Sequence, residues 1–440
     1  MSDLYGMQRA MRHVLRAAIQ RGVLAVVDVG SSKISCLVLR FDGEAAEHRI
    51  GPMAGQSRFE VIGASTTRSR GVRFGEIATM RETESAIRTA ITHAQKDAQV
   101  RVDHVVACLA GAEPRSYMLD GSIDLAGDPI EESDIAMCLA ECEHHEDMSR
   151  HALHAHPVNF TVDHRSGLSD PRGQTGERLA CDMHLVSVDG RAVQDLDHAM
   201  RRCDLELAGI SASPYAAGLA ALVEDEQELG AACIDMGGGA TGISVFIRKH
   251  MIYASSVRMG GEHVSLDVSK GLQISLAAAE RIKTMHGGLV ATGRDDMEMI
   301  PVGAGTGDYE LDKRCVSRAE LIGIVRPRVE EILEECRVKL DEAGFEHMPT
   351  RQVVLTGGAS QIPGLDEMAA RILGCRVRLG RPVRLRGLPQ SHAEASHASL
   401  VGLCLQAAGP QDEWWDFEAP ASLYPARSLK RAVRWFKDNW

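Results

Sequence analysis

Ala231-Ala232-Cys233-Ile234-Asp235-Met236-Gly237-Gly238-Gly239-Ala240-Thr241-Gly242, followed by Ile243-Ser244-Val245-Phe246-Ile247, reads as an apolar strand, an aspartate at its end, a glycine turn and a second strand. Gly237, Gly239 and Gly242 formally satisfy the Gly-x-Gly-x-x-Gly dinucleotide fingerprint, but that motif opens a helix whose N-terminus faces a pyrophosphate. Here β-branched and aromatic residues follow, and they suit a strand far better than a helix, which argues against a Rossmann site. The same order occurs earlier in the chain, where Val23–Val29 ends in Asp28-Val29-Gly30-Ser31-Ser32-Lys33 and resumes as Ile34–Leu39. Two such passages imply an internal duplication.

Glycines in hairpin turns tolerate positive φ and let backbone N–H groups approach phosphate oxygens closely. Asp28 and Asp235, at the strand ends, would face those phosphates and hold Mg²⁺ through water, because this ion keeps much of its hydration shell. A third glycine element follows the strand Gln352–Thr356: Gly357-Gly358 leads through Ser360 and Pro363 into a helix, Leu365–Leu373. It places bare backbone beside a flat ligand. The chain has no Gly-x-x-x-x-Gly-Lys-Ser/Thr loop, which excludes the P-loop enzymes.

Composition bounds the rest. With 440 residues, 44% hydrophobic and 25% charged, the chain is long enough for two or more cores. A net charge of -12 gives the body no basic footprint, so nucleic acid is not an expected partner. The 11 cysteines form no regular framework and read as reduced thiols of a cytoplasmic protein. The longest uncharged run, Leu207–Val223, is broken by Ser211, Ser213 and Pro214, so no transmembrane helix is expected. Arg9, Arg12 and Arg16 lack a following apolar region, which argues against a signal peptide.

Two hairpin turns plus a strand–Gly-Gly–helix element resemble the actin, Hsp70 and sugar-kinase superfamily. Within it the chain resembles the FtsA family of bacterial cell-division proteins. The resemblance rests on Glu224-Asp225-Glu226-Gln227-Glu228-Leu229-Gly230, Gly260-Gly261-Glu262-His263, Ala279-Glu280-Arg281-Ile282-Lys283 with His286-Gly287, and Leu355-Thr356-Gly357-Gly358-Ala359-Ser360-Gln361-Ile362, and runs from about Val23 onward. It implies an α/β, actin-like fold of two duplicated ribonuclease-H-like domains, with a 1C subdomain in place of actin's 1B. The implied boundaries are an N-terminal extension at 1–22, subdomain 1A at 23–109, 189–214 and 384–410, and 1C at 110–188. Subdomain 2A covers 215–260 and 326–383, 2B covers 261–325, a linker covers 411–426, and an amphipathic helix covers 427–440.

ATP with Mg²⁺ is the cofactor that this resemblance implies. The expected nucleotide contacts are Asp28, Gly30, Ser31, Ser32, Lys33, Asp235, Gly237, Gly238, Gly239, Thr241, Gly260, Gly261, Gly357 and Gly358, with Glu280 and Lys283 near the ribose and adenine. It also implies a filament of like subunits that anchors the tubulin-like FtsZ to the cytoplasmic face of the inner membrane. The FtsZ C-terminal peptide would be held by 2B near the basic helix Ser317–Lys339, with Arg318 as a contact, while 1C would serve filament contacts and later division partners.

Catalysis is expected to be slow. Sugar kinases need a carboxylate base beside the γ-phosphate and actin-type ATPases a Gln or Glu to position water. The connector Ser213-Pro214-Tyr215-Ala216-Ala217-Gly218-Leu219-Ala220-Ala221 has neither, so the nucleotide is read as a conformational and polymerisation ligand. That weighs against a sugar-kinase-like phosphotransferase. Too few residues follow the core for a chaperone's substrate domain, and the Glu224–Gly230 match argues against a pilus-assembly adaptor. Cys138, Cys142 and the histidines at 144, 145, 151, 154 and 156 raise the possibility of zinc, but they lack paired knuckles and read as core thiols and exposed histidines.

The chain's end carries a different signal. An acidic stretch, Gln411–Pro425, precedes Arg427-Ser428-Leu429-Lys430-Arg431-Ala432-Val433-Arg434-Trp435-Phe436-Lys437-Asp438-Asn439-Trp440. Leu429, Val433, Phe436 and Trp440 fall on one helical face, with Trp435 beside them and five basic residues (Arg427, Lys430, Arg431, Arg434 and Lys437) on the remainder. That pattern fits an anionic lipid surface. A fainter version near the start, Met7, Met11, Val14 or Leu15 and Ala18 opposite arginines, reads as a surface helix or a solvated extension without an assigned role.

Overall fold

Apolar runs long enough to be buried on both faces become the central strands of two five-stranded sheets. The computed structural model describes residues 2–42, 59–142, 149–302 and 314–417. The first sheet contains β1 (Val23–Val29), β2 (Lys33–Phe41), β3 (Phe59–Arg68), β4 (His104–Leu109) and β5 (Glu206–Ala212), in the order β5-β4-β1-β2-β3. The second contains β6 (Ala231–Met236), β7 (Thr241–Ile247), β8 (His250–Val257), β9 (Gln352–Thr356) and β10 (Arg376–Leu379), in the order β8-β7-β6-β9-β10.

The two orders are the same arrangement. In each sheet the first strand pairs antiparallel with the second and the second with the third, while the first pairs parallel with the fourth and the fourth with the fifth. Asp28 stands opposite Ser35 and Cys108; Asp235 stands opposite Gly242 and Thr356. The internal duplication read from sequence is therefore a duplication of topology. It also confirms that Gly242 belongs to a strand, not to a helix.

Alternation along the strands supplies the layers. Ala25, Val27 and Val29 of β1 face a core built with the helices Met80–Ala98 and Gly190–Arg202, through Ile87, Ile91, Val193 and Leu196. Leu24 and Val26 face the opposite side, where Leu15 and Ala18 of the helix Ser2–Arg21 meet Leu403 and Ala407 of the helix Ala398–Ala408. The N-terminal segment is thus not a solvated extension: Met11, Leu15 and Ala18 are buried and cover the first sheet. Its arginines decorate a docked helix.

Two short helices, Ser213–Ala221 after β5 and Ala398–Ala408 after β10, pack on each other between the sheets. Contact is close enough that a Cβ on Gly402 would stand 1.7 Å from the Ala216 carbonyl oxygen. The second sheet's outer core places Ile234, Met236, Ile243 and Leu355 against Val264 and Val268 of the helix Gly261–Leu272 and Val325, Val329 and Leu333 of the helix Arg318–Glu342. Glu226, from the short helix Glu224–Leu229, ties three chain segments: Arg378 Nε and Gln352 Nε2 each donate to its Oε1 at 2.6 Å. The acidic motif ahead of the second turn is therefore a clasp at the sheet's edge.

Among the described residues, 117–142 and 155–185, with 411–417, form a separate compact unit. Strands Arg115–Asp124, Arg178–Asp189, Arg150–Val162 and Arg165–Leu168 make its sheet, in that order, with the helix Glu132–Ala140. Cys138 and Cys142 meet Cys181 at Sγ–Sγ distances of 3.3 and 3.6 Å, and all three are buried. The acidic stretch read as a linker begins with docked residues: Glu413, Trp415 and Phe417 are buried, and Glu413 lies 3.5 Å from His156. The amphipathic segment 427–440 lies outside the described residues. Among the described residues no helix is long and apolar enough to cross a membrane.

Candidate functional site

Both glycine turns arise where an antiparallel pair reverses at the carboxyl end of a central strand. In the first, the Gly30 N–H donates to the Lys33 carbonyl oxygen at 3.1 Å; in the second, the Gly237 N–H donates to that of Ala240 at 3.0 Å. The turns face each other across a pocket of about 170 Å³, lined by Asp28 and Asp235 together with Lys33, Ser213, Ser396 and Ser399. A Cβ on Gly239 would stand 2.3 Å from Ser31 Oγ, so the second turn must be bare where the first carries its hydroxyls.

Each aspartate is held differently. Cys108, beside Asp28 on β4, donates its S–H to Asp28 Oδ1 at 3.0 Å. Ser399 and Ser213, at the starts of the paired helices, donate to Asp235 Oδ2 at 2.7 and 3.4 Å. Burial pushes the Asp28 carboxyl above the usual range, against the opposing pull of Cys108 and Lys33. It pushes Asp235 up to about 6, although Ser399 favours the carboxylate. Lys33 is the pocket's cation, lowered to about 8 by burial; its Nζ lies 2.9 Å from Ser396 Oγ and 3.0 Å from His397 Nε2.

A larger cavity of about 620 Å³ continues from the turns, sharing Ser31, Ser32, Gly237, Gly238 and Gly358 with the smaller pocket. One wall is polar and comes from the helices Gly261–Leu272 and Leu276–His286. Lys283 Nζ donates to Glu280 Oε2 at 2.8 Å and to the Gly261 carbonyl oxygen at 2.9 Å, and Ser265 Oγ also donates to Glu280. Burial raises the Glu280 carboxyl, but Lys283 and the two hydroxyl donors Ser265 and Thr284 outweigh it and hold it below the usual range. Its neighbour Glu262 is raised, by burial first and then by the Glu280 charge. Gly358, Ala359, Gln361, Ile362 and Pro363 also line this cavity. Gly357 has φ +90°, and a Cβ there would stand 2.4 Å from Asp235 Oδ1.

Asp28, Gly30, Ser31, Ser32, Lys33, Asp235, Gly237, Gly238, Gly239, Gly261, Glu280, Lys283, Gly357 and Gly358 all line one or the other of these connected cavities. Thr241 does not: it is fully buried and donates to the Met259 carbonyl oxygen at 2.8 Å. Gly260 backs the second turn, where a Cβ would meet the Gly237 and Gly238 carbonyl oxygens at 2.5 and 2.6 Å. Arg318 lies outside both cavities, with its guanidinium 2.6 Å from the buried Asp295.

Sequence reading missed Cys108, Ser213, Ser396, His397, Ser399, Glu262 and Ser265 as parts of the site. Ser213 belongs to the connector 213–221 and Glu262 to the Gly260–His263 motif; the others lie in stretches without a sequence signal for the site. The thiols are core, with neighbouring thiols and then burial raising Cys142 and Cys181 above the usual range, whereas His154 and His156, read as exposed, are buried.

Comparisons with known proteins agree with this geometry. The family model for cell division protein FtsA matches residues 232–402, and the model for the SHS2 domain inserted in FtsA matches residues 111–187. Cell division protein FtsA of Rhizobium meliloti (strain 1021) is 38% identical over 87% of this chain and 86% of its own length. Among solved structures, a PilM-PilN type IV pilus biogenesis complex matches with a TM-score of 0.58 and 15% identity, over 88% of this chain and 99% of that one. MreB5 of Spiroplasma citri bound to ADP matches with a TM-score of 0.51 and 12% identity, over 88% and 96% of the two chains. At those identities the structural matches show the actin-like fold.

Proposed function

Because this chain belongs to the FtsA family of cell-division proteins, we propose that it is an ATP-binding, filament-forming subunit that anchors FtsZ to the inner membrane at the division site. The observation that carries the reading is the meeting of Asp28 and Asp235 across one pocket that opens into a cavity walled by Glu280 and Lys283. Hard carboxylate oxygens and bare turns fit Mg²⁺ and a polyphosphate. Asp28 and Asp235 would hold the ion through water, and the ion's positive charge would favour the carboxylate forms that burial disfavours. The Glu280–Lys283 wall would take the ribose and adenine. The solved MreB5 neighbour is bound to ADP, which accords with a nucleotide here.

Turnover by this chain should be low. Ser213 lines the phosphate pocket, and Asp28 and Asp235 are the carboxylates among the described residues lining it, each committed to a turn. Among the described residues lining that pocket there is no Glu, Gln or Asn to act as a base or to position water. We expect hydrolysis below about one per second, the low end of enzyme rates.

The same reading assigns FtsZ's C-terminal peptide to the region of Arg318, around which Met285, Met297 and Met299 are exposed. The insert would serve filament contacts and later division partners. Anchoring falls to residues 427–440. Each basic side chain near an anionic leaflet contributes about 1 kcal/mol, so one tail binds reversibly and a filament of tails binds by avidity.

The test compares full-length protein with a version ending at Ala426 in co-sedimentation with anionic liposomes, with and without Mg-ATP. We expect only full-length protein to pellet, and to pellet more strongly with Mg-ATP. Equal pelleting of both versions would overturn the anchor.

A further inference from the structure

The strand-end and hairpin segment Arg68–Ile77 touches both turns at once. The Ser69 N–H donates to the Ser32 carbonyl oxygen at 3.0 Å, and the Gly75 N–H to Ser31 Oγ at 2.9 Å. Phe74 N comes so near the second turn that a Cβ on Gly239 would stand 2.9 Å from it. The Phe74 ring lies 5.2 Å from that of His263, on the helix Gly261–Leu272. Next to it, Glu76 meets Arg258 of the second half at 3.0 and 3.3 Å. This segment is therefore fixed over the mouth between the two halves of the duplicated body.

Arg68 and Arg73 belong to that segment and line the large cavity beside the turns. Both are exposed, and among the described residues neither guanidinium is hydrogen-bonded or ion-paired. Arg68 stands opposite Lys33 in the β2–β3 ladder, so it flanks the first turn directly.

Charge balance gives these arginines a task. The smaller pocket presents two carboxylates against one lysine, and Lys33 is already turned to Ser396 and His397. A polyphosphate entering there meets a net negative wall. A divalent cation relieves part of that repulsion, and the remaining phosphate oxygens need donors from the cavity side. Guanidinium groups match phosphate geometry with two parallel donors, whereas an ammonium acts as a point charge.

We propose that Arg68 and Arg73 form a phosphate clamp that selects nucleoside triphosphates over the bare nucleoside. The clamp rests on the nucleotide reading above. Through Phe74–His263 and Glu76–Arg258, the same segment links phosphate occupancy to the second half of the body.

The test measures the affinity of the full chain for ATP, ADP and adenosine, with Mg²⁺, by competition against a fluorescent ATP analogue. Wild type is compared with Arg68→Ala, Arg73→Ala, the double variant and Arg73→Lys. The expected result is at least a tenfold loss for ATP in the double variant, a smaller loss for ADP, unchanged adenosine affinity and partial recovery in Arg73→Lys. Unfolding temperatures should stay at the wild-type value, since both side chains are exposed. An unchanged ATP affinity, or equal losses for all three ligands, would overturn the clamp and leave the nucleotide reading intact. Failure of wild type to bind any of the three would instead overturn that reading.

Discussion

Two turns built on one plan do different work in this molecule. Each closes with the same hydrogen bond, Gly30 to Lys33 and Gly237 to Ala240, and each follows an aspartate that stands next to last in its strand. The first then carries Ser31, Ser32 and Lys33; the second is Gly237-Gly238-Gly239. Ser31 occupies the space a Cβ on Gly239 would need, so the side chains of one turn are accommodated by the bareness of the other. Their aspartates differ as well: a weak thiol donor supports Asp28, while two hydroxyls support Asp235. A duplicated frame thus yields an asymmetric site, which a ligand with distinct ends requires.

Breaking the bare turn should have the largest effect. Gly239→Val drives a branched side chain into Ser31 and the Phe74 backbone, and overpacking of this kind costs about 1–3 kcal/mol. We expect a lower unfolding temperature by calorimetry and loss of nucleotide binding, whereas Ser31→Gly, which empties the same contact from the other side, should remain folded. A Gly239→Val protein that binds ATP like wild type would show the turns to be less tightly opposed than described.

Removing the charges comes next. Asp235→Asn should weaken Mg²⁺-dependent ATP binding by at least tenfold, as a charged hydrogen-bonding or metal-linked group contributes about 1.5–3 kcal/mol. The same change should not lower the stability of the ligand-free protein, because burial disfavours the carboxylate there. Asp28→Asn should act in the same direction, and equal effects would mean that the different supports of the two aspartates do not matter.

Acidity sharpens the contrast further. Asp235 titrates at about 6, above the ordinary carboxyl value, so the folded protein holds a proton there that an unfolded chain releases. Its contribution to stability is fully present at pH below the unfolded value and is lost as pH rises through about 6. Mg²⁺-dependent binding, which needs the ionised form, should run the opposite way and weaken as pH falls below about 6. Isothermal titration between pH 5 and 8 checks this, and Asp235→Asn should flatten the profile.

The smallest expected effect separates the two hydroxyls on Asp235. Ser213→Ala removes the 3.4 Å contact while Ser399 keeps its bond at 2.7 Å, so stability should fall by about 1 kcal/mol or less. Ser399→Ala should cost more in the same denaturant titration.

The frame was legible because it is local. Period, β-branching and glycine placement mark β1–β2 and β6–β7, and the aspartates sit inside those passages. Gly357-Gly358 could be placed for the same reason. The N-terminal segment was legible as an amphipathic helix but not as a core element, since periodicity reveals an apolar face without saying what covers it. Likewise the acidic stretch after Leu405 looked like a linker because its charges dominate, although Trp415 and Phe417 are buried. Thr241, expected at the ligand, points into the strand-end network because its position alternates away from the pocket.

By itself the sequence determined that two aspartate-bearing glycine turns exist and that the chain repeats a strand–turn–strand unit, since short-range backbone preference specifies both. Tertiary structure alone decided which residues meet those aspartates. Cys108, Ser213 and Ser399 are brought to them by parallel pairing and by the packing of two helices far apart in the chain. Arg68 and Arg73 reach the cavity because a hairpin spans both halves. Such meetings depend on long-range closure, which no local pattern encodes.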